Sequence, residues 1–247
     1  MPRVAADANA QNAIRIFKES RHNGGVLLEN LELLIELGGP AHGAAVNMAV
    51  DEVLLLHARH PILRVYGWAC PAVTYGYFER WEPVAAGFPG REWIRRWTGG
   101  GVVPHGEDWT YSLIVPRTDR FAVVNAAESY RLIHEVLGEA MRAEGVQAGV
   151  TPEAAPKISQ ACFENAAQYD VLAGGHKIAG AAQRRSRFGM LHQGSVQGLA
   201  VPAGFAERLA HALAATVMPR RLAAEELAEA QRLAEQKYAT DAWNHKF

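Results

Sequence analysis

The string YDVLAGGHKIAGAAQRR, residues 169–185, restricts the possible folds of this chain more than any other stretch. Two strand-like runs flank Gly174-Gly175, and a glycine pair in that place supplies the positive backbone angles that a two-residue hairpin needs. Strands joined this way run antiparallel, which excludes an all-helical fold and a sheet made only of strand-helix-strand crossovers. Further strand-like runs surround it. LRVYGWACPAVTYGYF (63–78), rich in β-branched and aromatic residues and broken by Gly67, Pro71 and Gly76, predicts two short strands with a turn between them. WIRRW (93–97), stopped by Thr98-Gly99-Gly100-Gly101, and WTYSLIVP (109–116), ended by Pro116, predict a second pair, and GMLHQGSVQGL (189–199) a further strand.

Helices are expected in blocks between these runs. AAVNMAVDEVLLLHA (44–58) places Ala45, Met48, Ala49, Glu52, Leu55 and Leu56 at helical spacing, with one carboxylate near the apolar stripe. Residues 126–144 form a second helix, opened by Asn125 with Glu128 three residues on and carrying Tyr130, Ile133, Leu137 and Met141 on one face. Two more close the chain, one with Phe205, Leu209 and Leu213 in phase and one from Ala223 to about Tyr238. Strands that neighbour strands, with helices between, make an α+β fold around a mixed, mostly antiparallel sheet. Residues 1–25 are polar, end in Asn23-Gly24-Gly25 and read as a poorly ordered extension, leaving one domain over 26–247.

Charge and cysteine content remove several function classes. The 25 basic residues balance 26 acidic ones, which argues against a nucleic-acid partner. Neither Cys70 nor Cys162 has zinc-binding or disulfide-framework spacing, so a reducing compartment and no structural metal are expected. No apolar run approaches the roughly 20 residues of a membrane span and no secretory leader is evident, so a cytoplasmic protein without membrane attachment is expected.

The chemistry-bearing residues cluster in two stretches. Gly99, Gly100 and Gly101 lie after Arg95-Arg96 and Thr98, near His105 and Tyr111, giving a backbone that a ligand can approach amid polar donors. Cys70 reads as a small buried hydrophobe. Cys162 follows the proline-containing loop TPEAAPKISQ and precedes Lys177 by 15 residues, and a thiolate forms most easily beside a cation. Lys177 sits beside small residues, Gly180 and Ala181 among them, where a bound chain could pass close to its ammonium group. His105-Gly106-Glu107-Asp108 is too sparse for a metal site.

Taken in order, NMAVDE (47–52), LRVYGWACPAVTYGYF, RRWTGGGVVPH (95–105), YSLIVP (111–116), KIAGAAQRR (177–185) and KYATDAWN (237–244) resemble the landmarks of the lipoate and biotin protein ligase family, in its lipoate ligase and octanoyltransferase branch. The resemblance covers about residues 30–247. It implies a biotin-synthetase-like domain, of the class II aminoacyl-tRNA synthetase type, and transfer of lipoyl or octanoyl groups to a lysine of a lipoyl domain, such as glycine cleavage H protein or an E2 subunit. It further implies that Lys177 contacts the acyl carbonyl and that Gly99–Gly101 form the ligand loop.

The segment ACFENAAQYDVLAGGHKIAGAAQ (161–183) is similar to the LipM type of octanoyltransferase, in which a cysteine in an A-C-F segment receives the acyl chain as a thioester. That similarity implies Cys162 and Lys177 as the catalytic pair, octanoyl-acyl carrier protein as donor and no cofactor. Arg95, Thr98, His105, Tyr111, Gly180 and Ala181 join the glycine loop as expected substrate-binding residues. Two departures stand out: TGGG where that type carries T-G-G-R, and His192-Gln193-Gly194-Ser195 where Q-H-G-S is usual. ATP- and magnesium-dependent lipoate ligation is the alternative enzyme reading, although the C-terminal accessory domain of many ligases is not expected here. A non-catalytic relative that binds acyl chains or lipoyl domains is the third reading.

Overall fold

The computed structural model describes residues 25–154 and 166–247. The strands among them are, in chain order, β1 (Leu28–Glu36), β2 (Ile62–Tyr66), β3 (Ala72–Tyr75), β4 (Glu92–Arg95), β5 (Val102–His105) and β6 (Trp109–Pro116). They continue with β7 (Ala148–Val150), β8 (Val171–Ala173), β9 (His176–Ser186), β10 (Gly189–Val196) and β11 (Ala214–Arg220). The α-helices are α1 (Ala44–His57), α2 (Trp81–Gly87), α3 (Ala126–Ala143), α4 (Phe205–Leu213), α5 (Ala224–Leu233) and α6 (Asp241–Asn244); a π-helical turn, Ala234–Tyr238, continues α5 to the expected end, and a 3-10 turn spans Arg120–Val123.

Eight of these strands form one sheet in the order β11-β1-β2-β6-β10-β9-β8-β7, and β4-β3-β5 form a smaller one. In the large sheet β1 pairs in parallel with β11 and β2, and every other neighbouring pair is antiparallel. The expected α+β fold with a mixed, mostly antiparallel sheet is therefore present. Period-two alternation divides the core: Tyr111, Leu113 and Val115 of β6 pack with α3 and α4 on one face, while Ile114 packs with α1 and α5 on the other. None of the helices among the described residues is long and apolar enough to cross a membrane.

The hairpin at Gly174-Gly175 forms as the sequence implies, with φ of +57° and +81° and with Ala173 opposite His176. Asn125 caps α3 by accepting the Glu128 N–H at 2.9 Å.

Elsewhere tertiary context overrides the local pattern. The two strands within 63–78 do not pair: β2 joins the large sheet and β3 the small one, with β4 parallel to β3 rather than beside β6. β1 (LENLELLIE) was not legible because its residues favour helix, yet it lies between two parallel neighbours that complete its hydrogen bonds. In α1 the fully buried carboxylate is Asp51, not Glu52, whose carboxylate is half-buried and accepts from Lys237 and Tyr238. Cys70 is exposed rather than buried, because it lies in the turn that carries the chain between the two sheets, with Sγ donating to Glu92 Oε2 at 3.4 Å.

The C-terminal segment locks the small sheet in place. The Arg95 guanidinium donates to the carbonyls of Tyr77, Glu79, Trp243 and Asn244, and the Arg95 N–H donates to Asn244 Oδ1 at 2.9 Å.

Candidate active site

A pocket lies between the two sheets. Its floor crosses four adjacent strands, with Gly180, Ala181 and Ala182 of β9, Gln193, Gly194 and Ser195 of β10, Thr110 of β6 and Tyr66 of β2. Met48 of α1 and Thr74, Arg96, Val103 and His105 of the small sheet and its connections close it. A second, more open cavity shares Ala181 and Ala182 and reaches Gly99, Gly100 and Tyr130.

Lys177 packs against Gly180, a β9 residue that lines the pocket. Its side chain is 3% exposed and its Nζ is 2.8 Å from Asp170 Oδ2. Lys177 and Gly180 are three positions apart, which in a regular strand would put them on opposite faces. A register slip opposite Val171 and Leu172 changes this: Leu172 faces Lys177 while Val171 faces Ala179. Ile178 is the extra residue, so Lys177 folds back over Gly180. A Cβ on Gly180 would stand 2.5 Å from Lys177 Cε and 2.7 Å from Nζ, so the lysine occupies the space that only a glycine leaves open.

Asp170 is held in turn. Its carboxylate also accepts from Tyr130 Oη at 2.5 Å and from the Ala167 N–H at 2.6 Å. Tyr130 Oη then accepts the Ala181 N–H at 3.0 Å, beyond the point where β8 stops pairing with β9. One phenol thus ties the carboxylate that anchors Lys177 to the backbone that lines the pocket.

The glycine loop is braced from beneath. Arg96 donates to the carbonyl oxygens of Gly99 and Gly101 at 2.8 and 2.9 Å and to Thr74 Oγ1 at 2.7 Å. Gly100 has φ of +85°, and its carbonyl oxygen would lie 1.8 Å from a Cβ on Gly76, so Gly76 admits no side chain. Thr98 Oγ1 donates to Gln193 Oε1 at 2.7 Å, and Gln193 Nε2 donates to Asp51 Oδ2 at 2.8 Å. Asp51 also accepts from Ser112 at 2.6 Å and from the buried Arg64 at 2.8 Å, which satisfies a charge that burial alone would make costly.

His105 bridges Asp108 and Thr74, with Nδ1 2.7 Å from Asp108 Oδ2 and Nε2 2.8 Å from Thr74 Oγ1. Burial pushes the His105 pKa down. Burial would raise that of Asp108, but hydrogen bonds from His105, Ser195 and Thr110 hold it at about 2. The carboxylate therefore stays ionised, His105 Nδ1–H donates to it and Nε2 accepts from Thr74.

The expected site residues are thus partly brought together. His105, Gly180 and Ala181 line the pocket, Gly99 and Gly100 line the adjoining cavity, Gly101 is braced by Arg96, Thr98 bonds to Gln193 of the pocket floor, and Lys177 packs against Gly180. Two lie elsewhere: Arg95 is committed to backbone carbonyls of the C-terminal anchor, and Tyr111 points to the opposite face, where its hydroxyl is 3.3 Å from His192 Nε2. Cys162 lies outside the described residues. Among the described residues, no three His, Cys, Asp or Glu side chains converge as a metal site would need. Reasoning from sequence missed Asp170, Tyr130, Asp51 and Gln193. Asp170 had a weak signal, an acid just before the hairpin that carries the lysine, whereas Asp51 and Gln193 are identifiable only once α1 packs on β10.

Residues 43–198 match the family described as the lipoyl protein ligase A/B catalytic domain. The octanoyltransferase LipM of Kyrpidia tusciae is 33% identical, over 82% of this chain and 95% of the relative. That of Symbiobacterium thermophilum is 31% identical, over 80% and 93%. Among solved structures, a T. acidophilum protein of the lipoate protein ligase kind, with bound lipoic acid, superposes with a TM-score of 0.67 at 21% identity, covering 89% of this chain and 99% of that one. A bi-partite lipoate protein ligase with its E2 lipoyl domain, from Thermoplasma acidophilum, gives 0.60 at 22% identity, covering 88% and 96%. By the family match over most of its length and by these relatives, the chain belongs to the lipoyl protein ligase A/B catalytic domain family.

Proposed function

We propose that this protein is an octanoyltransferase of lipoate assembly, which moves an octanoyl group from a thioester on acyl carrier protein to one lysine of a lipoyl domain. The observation that carries this reading is the placement of Lys177, a buried ammonium held by Asp170 against the side-chain-free Gly180, which lines the pocket between the two sheets. The octanoyltransferase relatives, matched along nearly their whole lengths, support transfer over ligation.

In the proposed sequence the Cys162 thiolate attacks the octanoyl carbonyl and the carrier's thiolate leaves, giving an acyl-thioester on the enzyme. The amine of the acceptor lysine then attacks that thioester, an amide forms, its extra proton is released and Cys162 departs as thiolate. Lys177 orients the carbonyl and offsets the charge that develops on its oxygen. Amides of Gly99–Gly101 supply the remaining donors, an effect typically worth about 3 to 4 kcal/mol per donor. A thioester is already activated toward an amine, so neither ATP nor magnesium enters. Lipoyl domains, such as those of glycine cleavage H protein and E2 subunits, are the acceptors, and the cytoplasm is the site of action.

Intact-protein mass spectrometry after incubation with octanoyl-acyl carrier protein tests the covalent step. The wild-type chain is expected to gain one octanoyl mass and Cys162→Ala none, whereas a Cys162→Ala variant that still gains it overturns the cysteine mechanism.

A further inference from the structure

Tyr169 is the one non-glycine residue with a positive φ among the described residues, at +71°. A bulky side chain rarely takes up that conformation, and it persists only where neighbouring contacts hold it. Tyr169 directly precedes Asp170, the carboxylate 2.8 Å from Lys177 Nζ, and its carbonyl belongs to the peptide group that joins the two residues. The orientation of that peptide therefore sets where the Asp170 side chain leaves the chain. Backbone partners hold it on one side: the Tyr169 N–H donates to the Thr151 carbonyl at 2.8 Å, and the Thr151 N–H donates to the Asp170 carbonyl at 3.0 Å. His134 of α3 holds the other, donating from Nδ1 to the Tyr169 carbonyl at 2.7 Å.

His134 is fully buried, and its Nε2 has no hydrogen-bond partner among the described residues. A leucine would fill the same place in the core without an unsatisfied nitrogen, so packing alone does not account for an imidazole there. The bond to Tyr169 is what the imidazole adds. Tyr130 lies one turn earlier on the same face of α3, with its ring centroid 4.1 Å from that of His134. Its Oη donates to Asp170 Oδ1 at 2.5 Å. Two rings of one helix thus bracket Asp170, Tyr130 at the carboxylate and His134 at the peptide before it. That carboxylate stands close to the strand that lines the pocket, with Oδ1 3.2 Å from where a Cβ on Gly180 would lie, so little displacement of the turn is tolerated.

We propose that His134 is a positioning residue for acyl transfer: its hydrogen bond to Tyr169 holds the left-handed turn that directs the Asp170 carboxylate, and that carboxylate keeps the Lys177 ammonium against Gly180. The inference rests on the reading of Lys177 as the group that orients the acyl carbonyl. His134 acts through Tyr169 and Asp170 and takes no part in the chemistry.

Acetylation of Lys177 by N-hydroxysuccinimidyl acetate, followed by peptide mass spectrometry, reports how firmly the ammonium is held without requiring turnover. In folded His134→Leu, labelling of Lys177 is expected to be at least about tenfold faster than in the wild type. In the same variant kcat for octanoyl transfer is expected to fall about tenfold, with KM within about twofold. His134→Phe, which keeps a ring and removes the donor, carries the same expectation if the leucine variant does not fold. His134→Asn, whose amide can donate to the same carbonyl, is expected to restore labelling and kcat to within about threefold of the wild type. Glycine adopts a φ of +71° freely, so adding Tyr169→Gly to His134→Leu is expected to recover both in part, which a general loss of core packing would not show. Wild-type labelling and kcat in a folded variant without the donor overturn the inference, as does a loss that neither His134→Asn nor Tyr169→Gly restores. Faster labelling of the variant beside a wild-type protein that transfers no octanoyl group supports the hold on Lys177 and overturns only the activity it is proposed to serve.

Discussion

A lysine side chain that is 3% exposed is stabilised in the folded state by a carboxylate that stands against it. For Lys177 that carboxylate is Asp170, and the space for the ammonium is the missing side chain of Gly180. Gly180→Ala therefore tests position separately from charge. The added methyl meets the end of Lys177 and crowds the Asp170 carboxylate, so the buried ion pair loosens and stability is expected to fall by roughly 1 to 3 kcal/mol. The ammonium would be displaced by an ångström or more, and kcat for octanoyl transfer is expected to fall about 100-fold. A folded Gly180→Ala enzyme with wild-type kcat would show that the lysine need not sit where it does. The K-I-A-G string made the lysine and glycine legible in sequence. The reason for their spacing was not, because the register slip that puts them on one face arises from the pairing of β8 with β9.

At the scale of elements, α3 against β10 buries two histidines that carry no counter-charge of their own. His134 of α3 places Nδ1 2.7 Å from the Tyr169 carbonyl, so that nitrogen donates, and Nε2 is buried without a hydrogen-bond partner among the described residues. Burial pushes its pKa down to about 4, and that of the neighbouring His192 well below the ordinary histidine value. Both rings are therefore neutral in the folded protein but gain a proton in the unfolded chain below about pH 6.5. Stability from this source is fully present above that pH and is lost as the pH falls toward about 4. His134 alone is expected to lower unfolding free energy by about 2 kcal/mol between pH 7 and pH 5. Urea denaturation at the two pH values checks this, with a flatter profile expected for His134→Asn. An unchanged midpoint for the wild-type protein would contradict it. The α3 helix itself was legible from its cap and period, but nothing in its pattern marked His134 as a buried neutral base. That property depends on β10, and on His192 standing on the α3 face while Gln193 faces Asp51.

For the whole molecule, the hairpin, the run of strands and the ordered motifs made the fold class and the family legible before any contact was known. The two-sheet division was not legible, because the strands within 63–78 read as neighbours although the chain crosses from one sheet to the other between them. The pocket exists because of that crossing, with its floor from the large sheet and its roof from the small one. A site assembled from α1, both sheets and the loop after β4 depends on long-range packing that no local period encodes. On the function proposed, this assembled site transfers an already activated octanoyl group. The most direct test is to incubate the enzyme with octanoyl-acyl carrier protein and a lipoyl domain, with ATP and magnesium left out, and to follow the mass of the lipoyl domain. Octanoylation of one lysine under these conditions is the expected result. Modification that occurs only with free octanoate or lipoate and requires ATP and magnesium would contradict it and identify a ligase.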